Sequence, residues 1–239
     1  MGQICGSANN TLEKPGSGIL TVYGDHFSPE TRTIMCMIEM GQVPHQFHAV
    51  DQFKGDHKRE EYIKLNPTGS LPTIQEGRFL ILGGYLVFLN YLVNKHEPIR
   101  NKLYPLEVKP LIDKILLWFQ SIMRVTSQRL IRMIIGPQAF GEKQYQQEDI
   151  KATLEEFNMI LHMLDKKLQR YEFFCGEEVT VADIQIYNEI STILALHRKQ
   201  IESRENPNVF AWFNKMSTIP EVQENDRRFR EIISKYNFA

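Results

Sequence analysis

The sequence is poor in cysteine: Cys5, Cys36 and Cys175 are the only three in 239 residues, and no two form a Cys-x-x-Cys pair. So sparse and odd a set excludes a disulfide scaffold and a cysteine-rich zinc site, and it fits a reducing compartment. Long apolar runs are missing too. The longest, Tyr85 to Val93, is interrupted by Asn90 and falls well short of the roughly 20 residues a bilayer-spanning helix needs. Neither sign of charge is in surplus. Lys+Arg 28 against Asp+Glu 29 leaves a net charge of −1, which provides no electrostatic footprint for nucleic acid. What remains is an ordinary globular composition, 42% hydrophobic and 24% charged, on a chain long enough for one or two domains.

The first eighteen residues, MGQICGSANNTLEKPGSG, have no apolar period and read as a flexible tail. They lack the apolar core of a secretory signal and the arginines of a transit peptide. Gly2 and Cys5 are candidate acylation sites, and two lipid chains are what stable membrane attachment requires. The myristoylation pattern is imperfect, because Gly6 stands where Ser or Thr is wanted and Ser7 comes one place late. The alternative is a plain disordered tail.

From Gly18 onward the pattern becomes structured. Ile19 to Tyr23 predicts a buried strand. Ser28-Pro29-Glu30 combines a capping residue, a first-turn proline and an acid, and predicts a helix to about Met40 with Ile34, Met37 and Ile38 inward and Gly41 at its end. Gln46–Val50 reads as a second strand, and Glu60–Leu65 as a short helix before Asn66-Pro67. The Glu76-Gly77 turn between Leu71–Ile74 and Phe79–Ile81 suggests a hairpin, and Gly83-Gly84 opens a helix through Leu92. This order describes a small mixed sheet with helices on both faces. A proline-bearing linker, Lys95 to Pro110, precedes an almost wholly helical remainder. Ile112, Ile115, Leu116, Phe119 and Met123 form one stripe, and Ile150, Leu154, Phe157, Leu161, Leu164 and Leu168 another. Gly136-Pro137 is expected to break the first long element. Thr180 to Asp183 is a capping box opening a helix from Ile184 to Leu196. Pro207 precedes a further helix, and an amphipathic segment follows Pro220.

Several of these pieces, in this order, resemble soluble glutathione transferases, most closely a theta-like class. They are Tyr23 to Arg32, with a serine followed four places later by an arginine; Phe53-Lys54-Gly55-Asp56-His57; Asn66-Pro67 followed by Leu71-Pro72; Thr180 to Asp183; and Pro207 to Trp212. The resemblance runs from Ile19 to the last helix. It implies an α/β plus all-α architecture: a tail (1–18), a thioredoxin-like glutathione-binding domain (19–95) and an all-helical C-terminal domain (106–239). It also implies glutathione and a small electrophile as substrates, a cytoplasmic homodimer or complex subunit, and no metal.

Such an enzyme must make a thiol anionic near neutral pH. A free thiol has a pKa of about 8.5, so a hydroxyl donor at a helix N-terminus suits the task. Ser28 is placed for this, although serine before proline is also a favoured cap without any catalysis. Tyr23 is the rival, since other classes use a tyrosine at the end of the first strand. A cis bond at Leu71-Pro72 would offer the backbone of Leu71 to the tripeptide. His57 would hold its glycine carboxylate. Arg124 matches an arginine on the electrophile side, in a cleft expected between the domains against the first long helix. Gly83 and Gly84 depart from the pattern. The family's acidic residue and serine are absent there, leaving only backbone N–H groups for the γ-glutamyl end. Ser70 replaces a lysine of the theta pattern. Losing two charged hydrogen bonds would weaken binding by a factor of roughly hundreds. The second reading is therefore a non-catalytic interaction or structural subunit. A disulfide reductase would need a cysteine where Ser28 stands.

Overall fold

The computed structural model describes residues 18–197, 201 and 204–238. The acylation candidates Gly2 and Cys5, with most of the tail, lie outside the described residues. Four strands, β1 (Leu20–Gly24), β2 (His45–Ala49), β3 (Thr73–Glu76) and β4 (Phe79–Ile81), form one sheet in the order β2-β1-β3-β4. β1 runs parallel to β2 and antiparallel to β3, and β3 and β4 form the expected hairpin. Leu20, Val22 and Ile74 turn into the core. Tyr23 alternates to the opposite side of β1 and is half-buried.

Helix α1 (Pro29–Met40) begins and ends where its signals lie. Ser28 caps it by accepting from the Thr31 N–H at 3.3 Å, Pro29 occupies the first turn and Gly41 closes it. This helix is the centre of the molecule, packing against α3 (Tyr85–Lys95) and α4 (Glu97–Leu103) on its own side and against α8 (Val181–His197) and α10 (Pro220–Tyr236) of the helical part. Its inner residues Ile34, Met35, Met37 and Ile38 are buried. So is Arg32, which is wholly enclosed. The Arg32 guanidinium donates to Ser191 Oγ at 3.1 Å, to the Asn188 carbonyl at 2.7 Å and to Thr192 Oγ1. It also faces Asp226 at 3.7 Å and lies 4.0 Å from the centre of the Phe229 ring. Burial lowers its pKa, and Asp226 opposes that shift.

Two features differ from the sequence reading. The segment read as a linker contains α4, whose Ile99 and Leu103 are fully buried. Pro98 enters that helix in its first turn, where a missing N–H is harmless. Pro137 does not break its helix either. Helices α5 (Lys109–Trp118) and α6 (Arg124–Phe140) are joined by a π-helical turn, Phe119–Met123, into one rod that runs past Pro137. The stop comes at Gly141, in the left-handed conformation at φ 65°, whose N–H returns to the Gly136 carbonyl. Buried Ile131 and Ile135 anchor the rod below the proline, so one lost ladder bond near its end is tolerated.

The remaining elements are α2 (Glu60–Leu65), α7 (Gln147–Leu168) and α9 (Pro207–Met216). Half of the expected capping box forms: Asp183 reaches back to the Thr180 N–H, while the Thr180 hydroxyl donates to that carboxylate and does not accept from the Asp183 N–H. Asp183 Oδ2 accepts from the backbone and hydroxyl of Thr180, both at 2.9 Å, while Oδ1 takes the Phe174 N–H at 2.9 Å and Trp212 Nε1 at 3.1 Å. Among the described residues no helix is long and apolar enough to cross a membrane. No group of three or more His, Cys, Asp or Glu among them would hold a metal ion.

Candidate active site

A cleft of about 780 Å³ opens between the N-terminal end of α1 and the α6 part of the long rod. Its floor is Phe27, Ser28, Pro29 and Glu30. One side is formed by Gln52, His57, Lys58, Gly69 and Leu71, and the other by α6 from Arg124 to Phe140. The sequence reading placed the electrophile site against this first long helix, and the cleft lies there. It brings together Ser28, His57, Leu71 and Arg124. Pro72, Tyr23, Gly83 and Gly84 do not line it.

Ser28 sits where the chain turns from β1 into α1. Asp25 shapes that turn: its Oδ1 accepts the Phe27 N–H at 2.9 Å, and its backbone carbonyl accepts the Ser28 N–H at 2.9 Å. Asp25 Oδ2 also holds the Gln52 N–H at 3.1 Å, tying the turn to the loop after β2. Ser28 Oγ uses its lone pair on Thr31, and among the described residues its hydroxyl proton has no protein acceptor. A donor is therefore free at the positive end of a three-turn helix. The rival Tyr23 is occupied elsewhere. Its hydroxyl donates to Gln75 Oε1 at 3.2 Å and its ring stacks on His48 with centroids 5.0 Å apart, on the outer side of β1.

His57 lies in the short 3-10 turn Asp56–Lys58, with a buried Nδ1 that meets no protein partner. Burial and the neighbouring Lys58 lower its pKa, so the imidazole is neutral at neutral pH. Leu71-Pro72 is a cis peptide bond. The loop before it is fixed by Asn66, whose Nδ2 donates to the Ser70 carbonyl and to Thr73 Oγ1, both at 2.9 Å. Tyr62 donates to the same Ser70 carbonyl at 2.7 Å. Gly84 caps α3 with φ −80° and no side-chain bond, whereas Gly83 adopts φ 131°, a backbone that side-chain-bearing residues rarely take.

Arg124 is held from two sides. Its Nη1 donates to both oxygens of Glu189, at 3.0 and 2.8 Å, and its Nη2 stands 3.2 Å from Glu30 Oε1. Burial works against its charge, but Glu189 and Glu30 outweigh burial and hold its pKa above the ordinary value. The sequence reading missed Glu189, although an acid within the apolar stretch Ile184–Leu196 was a visible signal. Glu30, an acid in the first turn of α1, also joins this ion-pair cluster. Another unforeseen feature is the far end of α10. Lys235 Nζ reaches Asp51 Oδ2 at 2.8 Å, and Phe53 packs among Phe27, Tyr236 and Phe238. The C-terminal helix is thereby fastened to the loop that carries Gln52 and His57.

Residues 22–100 match the family profile "Glutathione S-transferase, N-terminal domain", and residues 111–220 match "Glutathione S-transferase, C-terminal domain". The chain belongs to the glutathione transferase family. Among curated relatives, the chain is 27% identical to mouse glutathione S-transferase theta-1 over 202 residues, covering 83% of this chain and 82% of that one. It is 27% identical to human glutathione S-transferase theta-2 over 197 residues, covering 81% and 78%. The apo form of human glutathione S-transferase T1-1 superposes with a TM-score of 0.80 at 24% identity, covering 91% of this chain and 90% of that one. The architecture is thus a thioredoxin-like domain followed by the helical domain of a theta-like transferase.

Proposed function

We propose that this transferase conjugates glutathione to small electrophiles, with the Ser28 hydroxyl donating to the thiolate. The observation that carries the reading is the uncommitted proton of Ser28 at the tip of α1, open to the cleft. In this reading Leu71 presents its backbone to the cysteinyl part of the tripeptide, and neutral His57 donates to its glycine carboxylate. The electrophile enters along the α6 wall beside Arg124. The division into a glutathione-binding domain (19–95) and a helical domain (106–239), a homodimer and a cytoplasmic location belong to the same reading.

A second reading has a specific observation behind it. Gly83 and Gly84 offer the γ-glutamyl end no side chain, and the φ of Gly83 resists restoring one. A non-catalytic docking subunit, tethered through acylated Gly2 and Cys5, would keep the fold and lose the ligand. Intact-mass analysis of native protein reads the acylation directly.

Calorimetry with glutathione separates the two. Saturable one-to-one binding is expected, and its absence at millimolar ligand gives the chain to the second reading. A Cβ added at Gly84 meets nothing within 4 Å, and φ there suits any residue. Gly84→Ser is therefore expected to fold normally and to tighten glutathione about tenfold, the worth of one charged hydrogen bond. Unchanged affinity would mean that the ligand does not reach the α3 terminus.

A further inference from the structure

Two residues beyond Ser28, Glu30 places a second carboxylate beside the arginine of the cleft. Arg124 is already bonded to both oxygens of Glu189, which is fully buried and takes a further bond from Ser127. Glu30 stands on the remaining side of the same guanidinium at 3.2 Å. One cation therefore serves two carboxylates, and the cluster is net negative when both are ionised. Tyr85, buried at the start of α3, is electrostatically coupled to Glu30 but stays neutral, because burial pushes its phenol up. The other charges lining the cleft are Lys58, Arg129, Arg132 and Glu142, the last two paired with each other and Arg129 with Glu156.

We infer that Glu30 acts as a brake on thiol activation at Ser28, by sharing Arg124 with Glu189 and by setting its own anion at the tip of α1. The inference rests on the proposal that Ser28 seats a thiol. A thiolate there would have a like charge as neighbour, which raises its pKa, whereas an arginine relieved of Glu30 would lower it. Glu30 also offsets part of the helix-terminal positive potential on which the serine relies. Glu30 thus tunes the reaction without touching the reacting sulfur, and the thiol proton leaves to solvent in either case.

The first arm of the test needs no glutathione. Ser28→Cys sets a reporter thiol at this point, and its pKa follows from the ultraviolet absorbance of the thiolate and from the pH profile of alkylation by iodoacetamide. Adding Glu30→Gln, which keeps the volume and an oxygen for Arg124, is expected to lower that pKa by about one unit. Glu30→Ala is a second variant should the glutamine form fold poorly, and it is expected to move the pKa the same way. A reporter pKa that stays put or rises in both variants overturns the inference. With Ser28 intact, Glu30→Gln is expected to raise kcat/KM for glutathione about tenfold below pH 7, while a lower value at every pH would make Glu30 a helper and overturn the brake. A wild-type protein that binds no glutathione contradicts the proposed function and with it any brake on a bound thiol, whereas a reporter pKa that falls as expected still establishes that Glu30 sets the electrostatics of the α1 tip.

Discussion

Arg32→Ala is expected to remove about 3–5 kcal/mol of stability, a large part of what a domain possesses. The side chain is completely enclosed and joins α1 to both α8 and α10 through Ser191, Asn188, Thr192 and Asp226. Alanine would leave a cavity against Phe229 and strip the buried Asp226 carboxylate of the guanidinium that faces it at 3.7 Å. Arg32→Met tests the division between packing and charge. It refills the space but leaves Asp226, among the described residues, with the Tyr187 hydroxyl as its hydrogen-bond partner, so about half of the loss is expected to return. Urea midpoints measure both. A loss below about 1 kcal/mol in the alanine variant would mean that this crossing is not a structural pin. The position matters for the site as well, because Arg32 lies one helical turn beyond Ser28 and holds the base of the tip that presents it.

Ser28→Ala is expected to lower kcat/KM for conjugation about 100-fold, the usual effect of deleting one donor to a developing or bound anion. The same change removes the cap of α1 and costs about 1 kcal/mol of stability, too little to unfold the protein. Ser28→Thr restores both the cap and the donor, and is expected to recover most of the rate. A Ser28→Ala protein with unaltered kcat/KM would show that the cap is the whole role of this serine. Tyr23→Phe serves as the contrast. With its hydroxyl on Gln75 and its ring on the outer side of β1, it is expected to leave the rate unchanged.

Local signals carried the fold where they were physically decisive. Ser28-Pro29-Glu30, the Glu76-Gly77 turn and Thr180 to Asp183 each specify a backbone conformation within a few residues, and each element starts or turns there. The cis bond at Leu71-Pro72 was implied by the family resemblance and not by the local sequence. The errors arose where packing overrode a local breaker. Pro137 sits near the end of a helix held by Ile131 and Ile135, and Pro98 falls in a first turn that needs no N–H. The lining of the candidate cleft was legible only in part. Ser28 and His57 are local features of short loops. The Glu30–Arg124–Glu189 cluster draws on three helices, and no spacing along the chain announces it. The fastening of α10 to Asp51 likewise joins residues 184 positions apart, beyond the reach of any pattern read in a window.

The most direct measurement is the acidity of the glutathione thiol while bound, read from thiolate absorbance as pH is raised. With Ser28 the bound thiol is expected to titrate at least one unit below the free value of about 8.5, and in Ser28→Ala to return to it. Binding that leaves the thiol at its solution pKa in the wild-type protein would contradict the account.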